Sequence, residues 1–139
     1  MGQSIRDVMT AEPHTVQVDA TLQDAAREMK GDDIGAVLVE EGGNVAGILT
    51  DRDIVVRAIA EGRDPSSTKV GDVATRDVKT LSPDSSVEDA IKIVREHNVR
   101  RIPVVQDGRP AGIVSIGDLA IERDSDSALA DISRAPSNN

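Results

Sequence analysis

The chain contains two copies of one sequence pattern, and this internal repeat limits its possible folds more than any other feature. An offset of 65 residues aligns residues 5–57 with the later part of the chain without a gap. The aligned pairs include Gly47 with Gly112 and Asp53 with Asp118. Because a sequence repeat reflects one structural unit used twice, the two copies should share one fold.

Each copy has the pattern of a β-α-β-β-α unit. Residues 15–18 alternate as a short strand, while residues 41–44 and 106–109 carry the turn signals of β-hairpins. The last helices begin near Asp51 and Ile116. The first helices are indicated by apolar residues at spacings of three, four and seven. These stripes are Leu22, Ala25, Ala26 and Met29 in the first copy and Val87, Ala90, Ile91 and Val94 in the second.

Composition along the chain predicts where the copies begin and end. Residues 1–62 form the first repeat, the polar and turn-rich residues 63–69 form a linker, and residues 70–124 form the second repeat. The Asp-, Ser- and Asn-rich residues 125–139 are expected to be mostly disordered, with at most one helical turn. Pro103 predicts an edge position, or an adjacent bulge, for the strand that contains it.

One copy is too small to be stable alone. Each has about 60 residues and no Phe, Trp or Tyr, so it buries too little apolar area to offset the entropy of ordering. We therefore predict an α/β (α+β) fold in which two pseudo-symmetric repeats pack sheet to sheet. A pseudo-twofold axis should relate them and leave two equivalent clefts between them.

Charge and composition exclude several classes of function. A net charge of −9 disfavours nucleic acid and membrane surfaces as partners, and no apolar run is long enough for a membrane span or a signal peptide. We expect a cytoplasmic protein. The lack of cysteine excludes disulfides, thiolate metal sites and a cysteine nucleophile. Without aromatic residues, a flat ligand must lie between aliphatic side chains.

Both copies place a hydroxyl and a carboxylate where a strand enters the last helix. The pairs are Thr50 with Asp53 and Ser115 with Asp118. A glycine in the strand lets a ligand approach the backbone, a helix N-terminus suits phosphate, and a carboxylate can accept two ribose hydroxyls. The pattern is therefore that of a nucleoside phosphate site.

The same spacing also describes a helix cap that needs no ligand. A Ser or Thr followed three residues later by an acid stabilises a helix N-terminus by about 1 kcal/mol. The spacing recurs at Thr21 with Asp24 and at Ser86 with Asp89, where no ligand is expected. The residues alone leave both interpretations open.

The repeated pattern and three stretches of sequence resemble a tandem pair of CBS domains, a family named after cystathionine β-synthase. The stretches are residues 47–53, 99–105 and 112–118, and the resemblance covers about residues 5–124. It implies that the Ser/Thr-x-x-Asp elements bind adenosine nucleotides or related ligands. It also implies assembly of the pair into a disc-like homodimer.

The resemblance assigns roles to individual residues. Asp53 and Asp118 would hold ribose, and Thr50 and Ser115 would lie near phosphate. Beside the second junction, Arg100 or Arg101 would contact phosphate, whereas the first junction would have to use Arg52 or Lys79. His14 and Lys79, at equivalent positions of the two copies, would line the mouths of the clefts. The adenine would lie against an aliphatic residue among Ile102, Ile113, Val37 and Ile48.

Metal binding and catalysis find no support in the sequence pattern. The chain has two histidines, His14 and His97, with no clustered ligand spacing, so we predict no metal site. His97 is expected to end a helix, where positive charge is favoured. The sequence has no GxGxxG dinucleotide motif, no Walker loop, no HExxH zinc-protease motif and no GxSxG hydrolase motif, and we predict that the protein is not an enzyme.

Three functions remain, and the first is favoured. It is a regulatory, ligand-sensing module that requires no cofactor and binds AMP, ADP, ATP, a dinucleotide or S-adenosylmethionine, changing shape for an unknown protein partner. The second is a dimeric interaction module whose clefts bind nothing. The third is an enzyme with paired acids, which would need a perturbed carboxylate pair that the sequence does not display.

Overall fold

The computed structural model describes residues 4–123, which fall into two compact units. The N-repeat unit comprises residues 13–78 and 107–110, and the C-repeat unit comprises the described residues of 1–12, 79–106 and 111–139. In chain order the elements are α1 (Ile5–Val8), β1 (Thr10–Ala11), β2 (Thr15–Gln17), α2 (Leu22–Asp32), β3 (Ala36–Glu41), β4 (Asn44–Thr50), α3 (Asp51–Asp53), a π-helical segment (Ile54–Ile59), a 3₁₀ turn (Val70–Asp72), α4 (Val87–His97), β5 (Arg101–Gln106), β6 (Arg109–Ser115) and α5 (Ile116–Arg123).

The N-repeat unit contains the predicted β-α-β-β-α order. Its sheet has the strand order β2-β3-β4, with β2 parallel and β4 antiparallel to β3. The β3–β4 turn uses Gly42 and Gly43 at positive φ, as a two-residue hairpin of this twist requires. Helix α2 connects the parallel strands, and Thr21 caps it by accepting the amide of Asp24 at 3.1 Å. The β-α-β-β-α prediction is confirmed here.

The predicted stripe of α2 is correct at three of its four positions. Leu22, Ala25 and Met29 are buried in the core, whereas Ala26 is exposed. In α4, Val87 and Ala90 are buried, and Ile91 and Val94 pack partly buried against the core.

The C-repeat unit repeats the pattern with one strand reduced. Its sheet has the order β1-β6-β5, and the expected first strand is a single parallel bridge from Leu81 to Val104. One reason is the proline at position 83. In the first copy the amide of Val18 donates to Glu40 at 2.9 Å, but the equivalent residue, Pro83, has no amide hydrogen.

Pro103 lies in the outer strand of its sheet, as predicted. Neighbouring Leu81 donates to the Pro103 carbonyl at 3.0 Å and accepts from Val105 at 2.7 Å. These bonds use the carbonyl of Pro103 and the amide two residues later. Pro103 cannot donate the bond that its equivalent, Leu38, makes to the His14 carbonyl at 2.9 Å in the first copy, so the parallel pairing loses this donor as well.

Each compact unit includes a short segment that the sequence assigns to the other repeat. Residues 4–12 belong to the C-repeat unit, where Ile5 is 0% exposed and β1 pairs antiparallel with β6. The segment around Val70 and Val73 belongs to the N-repeat unit and is buried in its core. The boundaries between repeats at 62 and 70, and the sheet-to-sheet packing, stay predictions.

Turns fill the segment between the repeats and pack on the start of α2. The amides of Leu22 and Gln23 donate to the carbonyls of Thr68 and Pro65. The hydroxyl and then the amide of Ser66 lower the pKa of Asp64 by hydrogen bonding to its carboxylate. Among residues 4–123, no helix combines the length and apolar character needed to cross a membrane. The predicted disordered tail, 125–139, lies outside the described residues.

Candidate functional site

The candidate site residues lie at two equivalent junctions between a strand and a helix. Strand β4 leads directly into α3, and β6 leads directly into α5. In both cases, the first amide of the helix donates to a carbonyl that stands just before the other strand of the hairpin, β3 or β5. Asp51 donates to Gly35 at 3.0 Å, and Ile116 donates to Arg100 at 2.9 Å. The 65-residue repeat thus extends to the hydrogen bonds that fix each junction.

The first junction is closed by two reciprocal hydrogen bonds and a cation. The Asp53 amide donates to Thr50 Oγ1 at 3.1 Å, and the Thr50 amide donates to Asp53 Oδ2 at 3.0 Å. The other oxygen, Asp53 Oδ1, lies 3.7 Å from the guanidinium of Arg57. Arg57 also donates to the Val73 carbonyl and the Thr75 hydroxyl, each at 2.9 Å. Sequence reasoning missed Arg57, although it stands four residues after Asp53.

The second junction has the same reciprocal bonds, and the sequence does not repeat the arginine of the first. The Asp118 amide donates to Ser115 Oγ at 3.2 Å, and the Ser115 amide donates to Asp118 Oδ2 at 3.1 Å. The residue equivalent to Arg57 is Glu122. Among the side chains that the structure describes, none pairs with or donates a hydrogen bond to Asp118 Oδ1.

The hydroxyl and carboxylate at each junction do cap a helix, but their hydrogen bonds are more buried than those of the other caps. Ser86 and Asp89 at α4 form the same reciprocal box, but its bonds are exposed, like the cap at Thr21. The bonds at both junctions are partly buried. Polar groups with restricted access to water interact more strongly with a ligand than fully solvated ones.

The predicted cations are exposed, and only some stand beside a junction within one unit. Arg100 adjoins the second junction through its carbonyl, and Arg101 begins β5 next to it. Arg52 lies in α3, where its amide donates to Asp51 Oδ1 at 2.8 Å. Lys79 belongs to the C-repeat unit and Asp53 to the N-repeat unit, so their pairing stays a prediction.

The predicted aliphatic contacts differ in accessibility. Ile102 is 1% exposed and Val37 is 0% exposed, and both form part of a core. Ile48 is also buried, whereas Ile113 is half-buried on β6. Of the four, Ile113 offers the largest surface to a ligand, and its contact with adenine stays a prediction.

The junction glycines serve the protein's own backbone, which corrects the expectation that they admit a ligand. A Cβ on Gly47 would overlap the Thr75 carbonyl oxygen. A Cβ on Gly112 would lie 2.7 Å from both Met9 Sδ and the Thr10 carbonyl oxygen. The space above Gly47 is therefore occupied by the backbone around Thr75, and the space above Gly112 by Met9 and Thr10.

His14 and His97 occupy different settings. His97 is the last residue of α4, as predicted from the favourable interaction of positive charge with a helix C-terminus. His14 precedes β2, and its Nδ1 lies 3.3 Å from Asp32 and 3.7 Å from Glu28. Sequence reasoning missed this grouping because both acids lie on α2, well separated from His14 along the chain, and resemble ordinary solvated helix residues.

Comparison with known proteins matches both repeats to one family. The model of the CBS domain matches residues 5–59 and 70–124. The CBS domain-containing protein YhcV of Bacillus subtilis is 41% identical over 134 residues, which covers 94% of this chain and 95% of that relative. The similarity thus extends over almost the whole length of both proteins.

Solved structures agree with the sequence comparison. The crystal structure of Hypoxic Response Protein I with two coordinated zinc ions has a TM-score of 0.77 at 35% identity, covering 85% of this chain and 97% of that one. A hexameric CBS-CP12 protein from bloom-forming cyanobacteria has a TM-score of 0.79 at 28% identity, covering 90% and 74%. Both similarities include two repeats rather than one.

Proposed function

The chain belongs to the CBS-domain family, and from this membership we propose that it senses an adenosine nucleotide, which binds at the second junction. A tandem pair of CBS domains is a regulatory module. In the proposal, Asp118 accepts hydrogen bonds from ribose, and Ser115 with the adjoining backbone amides faces phosphate. The protein contributes no catalytic step of its own.

One oxygen of Asp118, Oδ1, has no partner among the side chains that the structure describes, and this observation carries the proposal. Oδ2 is fixed by the Ser115 amide at 3.1 Å, which orients the carboxylate and leaves Oδ1 for a ligand. Hydrogen bonds to an ionised acceptor are stronger than neutral ones. The net charge of −9 repels a phosphate, and the exposed guanidinium groups of Arg100 and Arg101 supply the local positive charge that offsets this repulsion.

The first junction is the weaker candidate of the two. Its Asp53 Oδ1 faces Arg57 at 3.7 Å, and Arg57 is held in turn by Val73 and Thr75. A ribose at Asp53 would therefore compete with a side chain that already has three partners. We propose that the two junctions differ in affinity and that the second binds first.

Asp118→Asn is expected to weaken nucleotide binding about tenfold or more, because a hydrogen bond to a charged group contributes about 1.5–3 kcal/mol. Isothermal titration calorimetry of the whole protein with AMP, ADP and ATP measures the change. Asp53→Asn should cause a smaller loss. Because the chain has no aromatic residue, nucleobase absorbance in the purified protein would itself report a bound nucleotide.

Asp89→Asn is the matched control for this experiment. It removes the acid of a capping box with the same reciprocal bonds in the same unit, without touching the junction. Equal affinities for Asp118→Asn and Asp89→Asn would show that the ligand does not contact Asp118. Failure of all three nucleotides to bind at about 1 mM would reject the sensing function.

A second candidate function, self-association, is favoured by one exposed apolar surface. Val55, Val56 and Ile59 are 58%, 47% and 51% exposed on the π-helical segment after α3. Ile59 stands four residues after Val55 and three after Val56, and these spacings bring side chains to one side of a helix, so the three form one apolar patch. The hexameric state of the CBS-CP12 neighbour supports a second copy of this chain as the occupant.

Val56→Asp is expected to shift the protein to a smaller assembly, since an acid in an apolar interface is desolvated without a partner. Light scattering after size-exclusion chromatography measures the mass. Ala26→Asp places the same group on the exposed side of α2 and should leave the mass unchanged. Identical masses for the unsubstituted protein and Val56→Asp would remove the patch from any interface. The cytoplasmic setting and the protein partner stay predictions.

A further inference from the structure

Three potential metal ligands converge on one face of the N-repeat unit. One ligand atom from each of His14, Glu28 and Asp32 lies within 4.8 Å of the others. His14 Nδ1 is 3.3 Å from Asp32 Oδ2 and 3.7 Å from Glu28 Oε1. The three side chains are 42–44% exposed, so an ion in solution can reach them.

The surrounding fold holds these residues in place independently of their own contacts. The His14 carbonyl accepts the amide of Leu38 at 2.9 Å, which fixes the backbone of His14 to β3. Glu28 and Asp32 stand four residues apart on α2 and therefore project from one face of it. The buried face of α2, which includes Leu22 and Met29, locks the rotation of the helix against the core.

We propose that His14, Glu28 and Asp32 form a binding site for a divalent transition-metal ion. Metal bonds of about 2.0–2.1 Å in tetrahedral geometry separate neighbouring ligand atoms by about 3.3 Å. The two separations from His14 Nδ1, 3.3 and 3.7 Å, are already near that value. One imidazole with two carboxylates favours zinc and its neighbours over magnesium and calcium, which take oxygen ligands.

The internal repeat provides a comparison within the same chain. The residues equivalent to His14, Glu28 and Asp32 are Lys79, Ile93 and His97. The second copy folds into the same helix and hairpin without the three ligands, so the cluster is not a requirement of the repeat. Three protein ligands leave at least one coordination position for water or a further group. The net charge of −9 favours accumulation of cations near the surface.

The composition of the chain makes the site easy to test. With two histidines and no cysteine, zinc has two possible imidazole ligands, and each gives its own nuclear magnetic resonance signals. Titration of the full-length protein with zinc chloride should shift the ring signals of His14 and leave those of His97 unchanged. Calorimetry on the same samples should give one zinc ion per chain.

Substitutions of the ligands separate a metal site from a simple ion pair. We expect His14→Ala and Asp32→Asn to weaken zinc binding by at least about tenfold, since loss of even outer-shell partners has effects of 10- to 100-fold. His97→Ala is the matched control and should bind zinc like the unsubstituted protein. Asp32→Asn keeps the shape of the side chain, and unchanged circular dichroism would show that the fold is retained.

Three results would overturn the proposal. The first is no shift of the His14 ring at about 1 mM zinc. The second is equal zinc affinity for His14→Ala and the unsubstituted protein. The third is displacement of zinc by an equal concentration of magnesium or calcium, which would exclude a transition-metal site. None of these readouts involves a nucleotide, so the metal site and the proposed sensing function are tested separately.

Discussion

Ile5→Ala is expected to lower the free energy of unfolding by about 2–5 kcal/mol and to loosen the second sequence repeat, although Ile5 precedes the first. Ile5 is 0% exposed within the core of the C-repeat unit. Its amide donates to the Ser85 carbonyl at 2.8 Å, and that of Arg6 donates to Pro83 at 2.9 Å. Truncation leaves a cavity that these backbone bonds prevent from closing.

Val70→Ala is the matched experiment in the other unit. Val70 stands 65 residues after Ile5, is 0% exposed and belongs to the core of the N-repeat unit. Its effect should be somewhat smaller because valine loses less volume than isoleucine. Urea unfolding followed by circular dichroism measures both losses, since the chain has no aromatic fluorophore.

Hydrogen exchange shows which unit each substitution affects. Ile5→Ala should speed exchange in β5 and β6, whereas Val70→Ala should speed exchange in β3 and β4, because local opening follows loss of local core contacts. If Ile5→Ala speeds exchange in β3 and β4 while β5 and β6 stay protected, the assignment of residues 4–12 to the C-repeat unit is wrong.

Periodic elements of this fold could be predicted from sequence, and the segments that cross between repeats could not. Helices α2 and α4 follow from apolar spacing and their caps, and both hairpins follow from their turn residues. Helix α1 has four residues and β1 has two. Elements this short have no period to detect, and their position depends on contacts far away in the chain.

The candidate site shows the same division. The repeat and the family resemblance identified Thr50, Asp53, Ser115 and Asp118, because these residues are adjacent in sequence and the pattern occurs twice. The spacing of four residues could have indicated the pairing of Arg57 with Asp53, but the bonds that hold Arg57 on Val73 and Thr75, 16 and 18 residues away, depend on tertiary structure. The family pattern thus predicts where the two junctions lie, whereas the chemical difference between them depends on the side chains that surround each carboxylate.

Gly47→Ala is expected to destabilise the protein by about 1–3 kcal/mol, although alanine is the smallest side chain that could be added. The new Cβ would overlap the Thr75 carbonyl oxygen and lie 3.2 Å from Arg76 Cα. These are backbone atoms, and Thr75 is held by two hydrogen bonds with Ile48, each of 3.0 Å. Relief of the overlap would require breaking that pairing.

Gly31→Ala provides a control in which the same substitution has the opposite sign. Gly31 lies in α2 with no atom within 4 Å of an added Cβ, so alanine should stabilise the helix by about 0.5–1 kcal/mol. Urea unfolding of both variants measures the difference. If Gly47→Ala were as stable as the unsubstituted protein, the segment around Thr75 could not be packed on β4, and the space above Gly47 would again be open to a ligand.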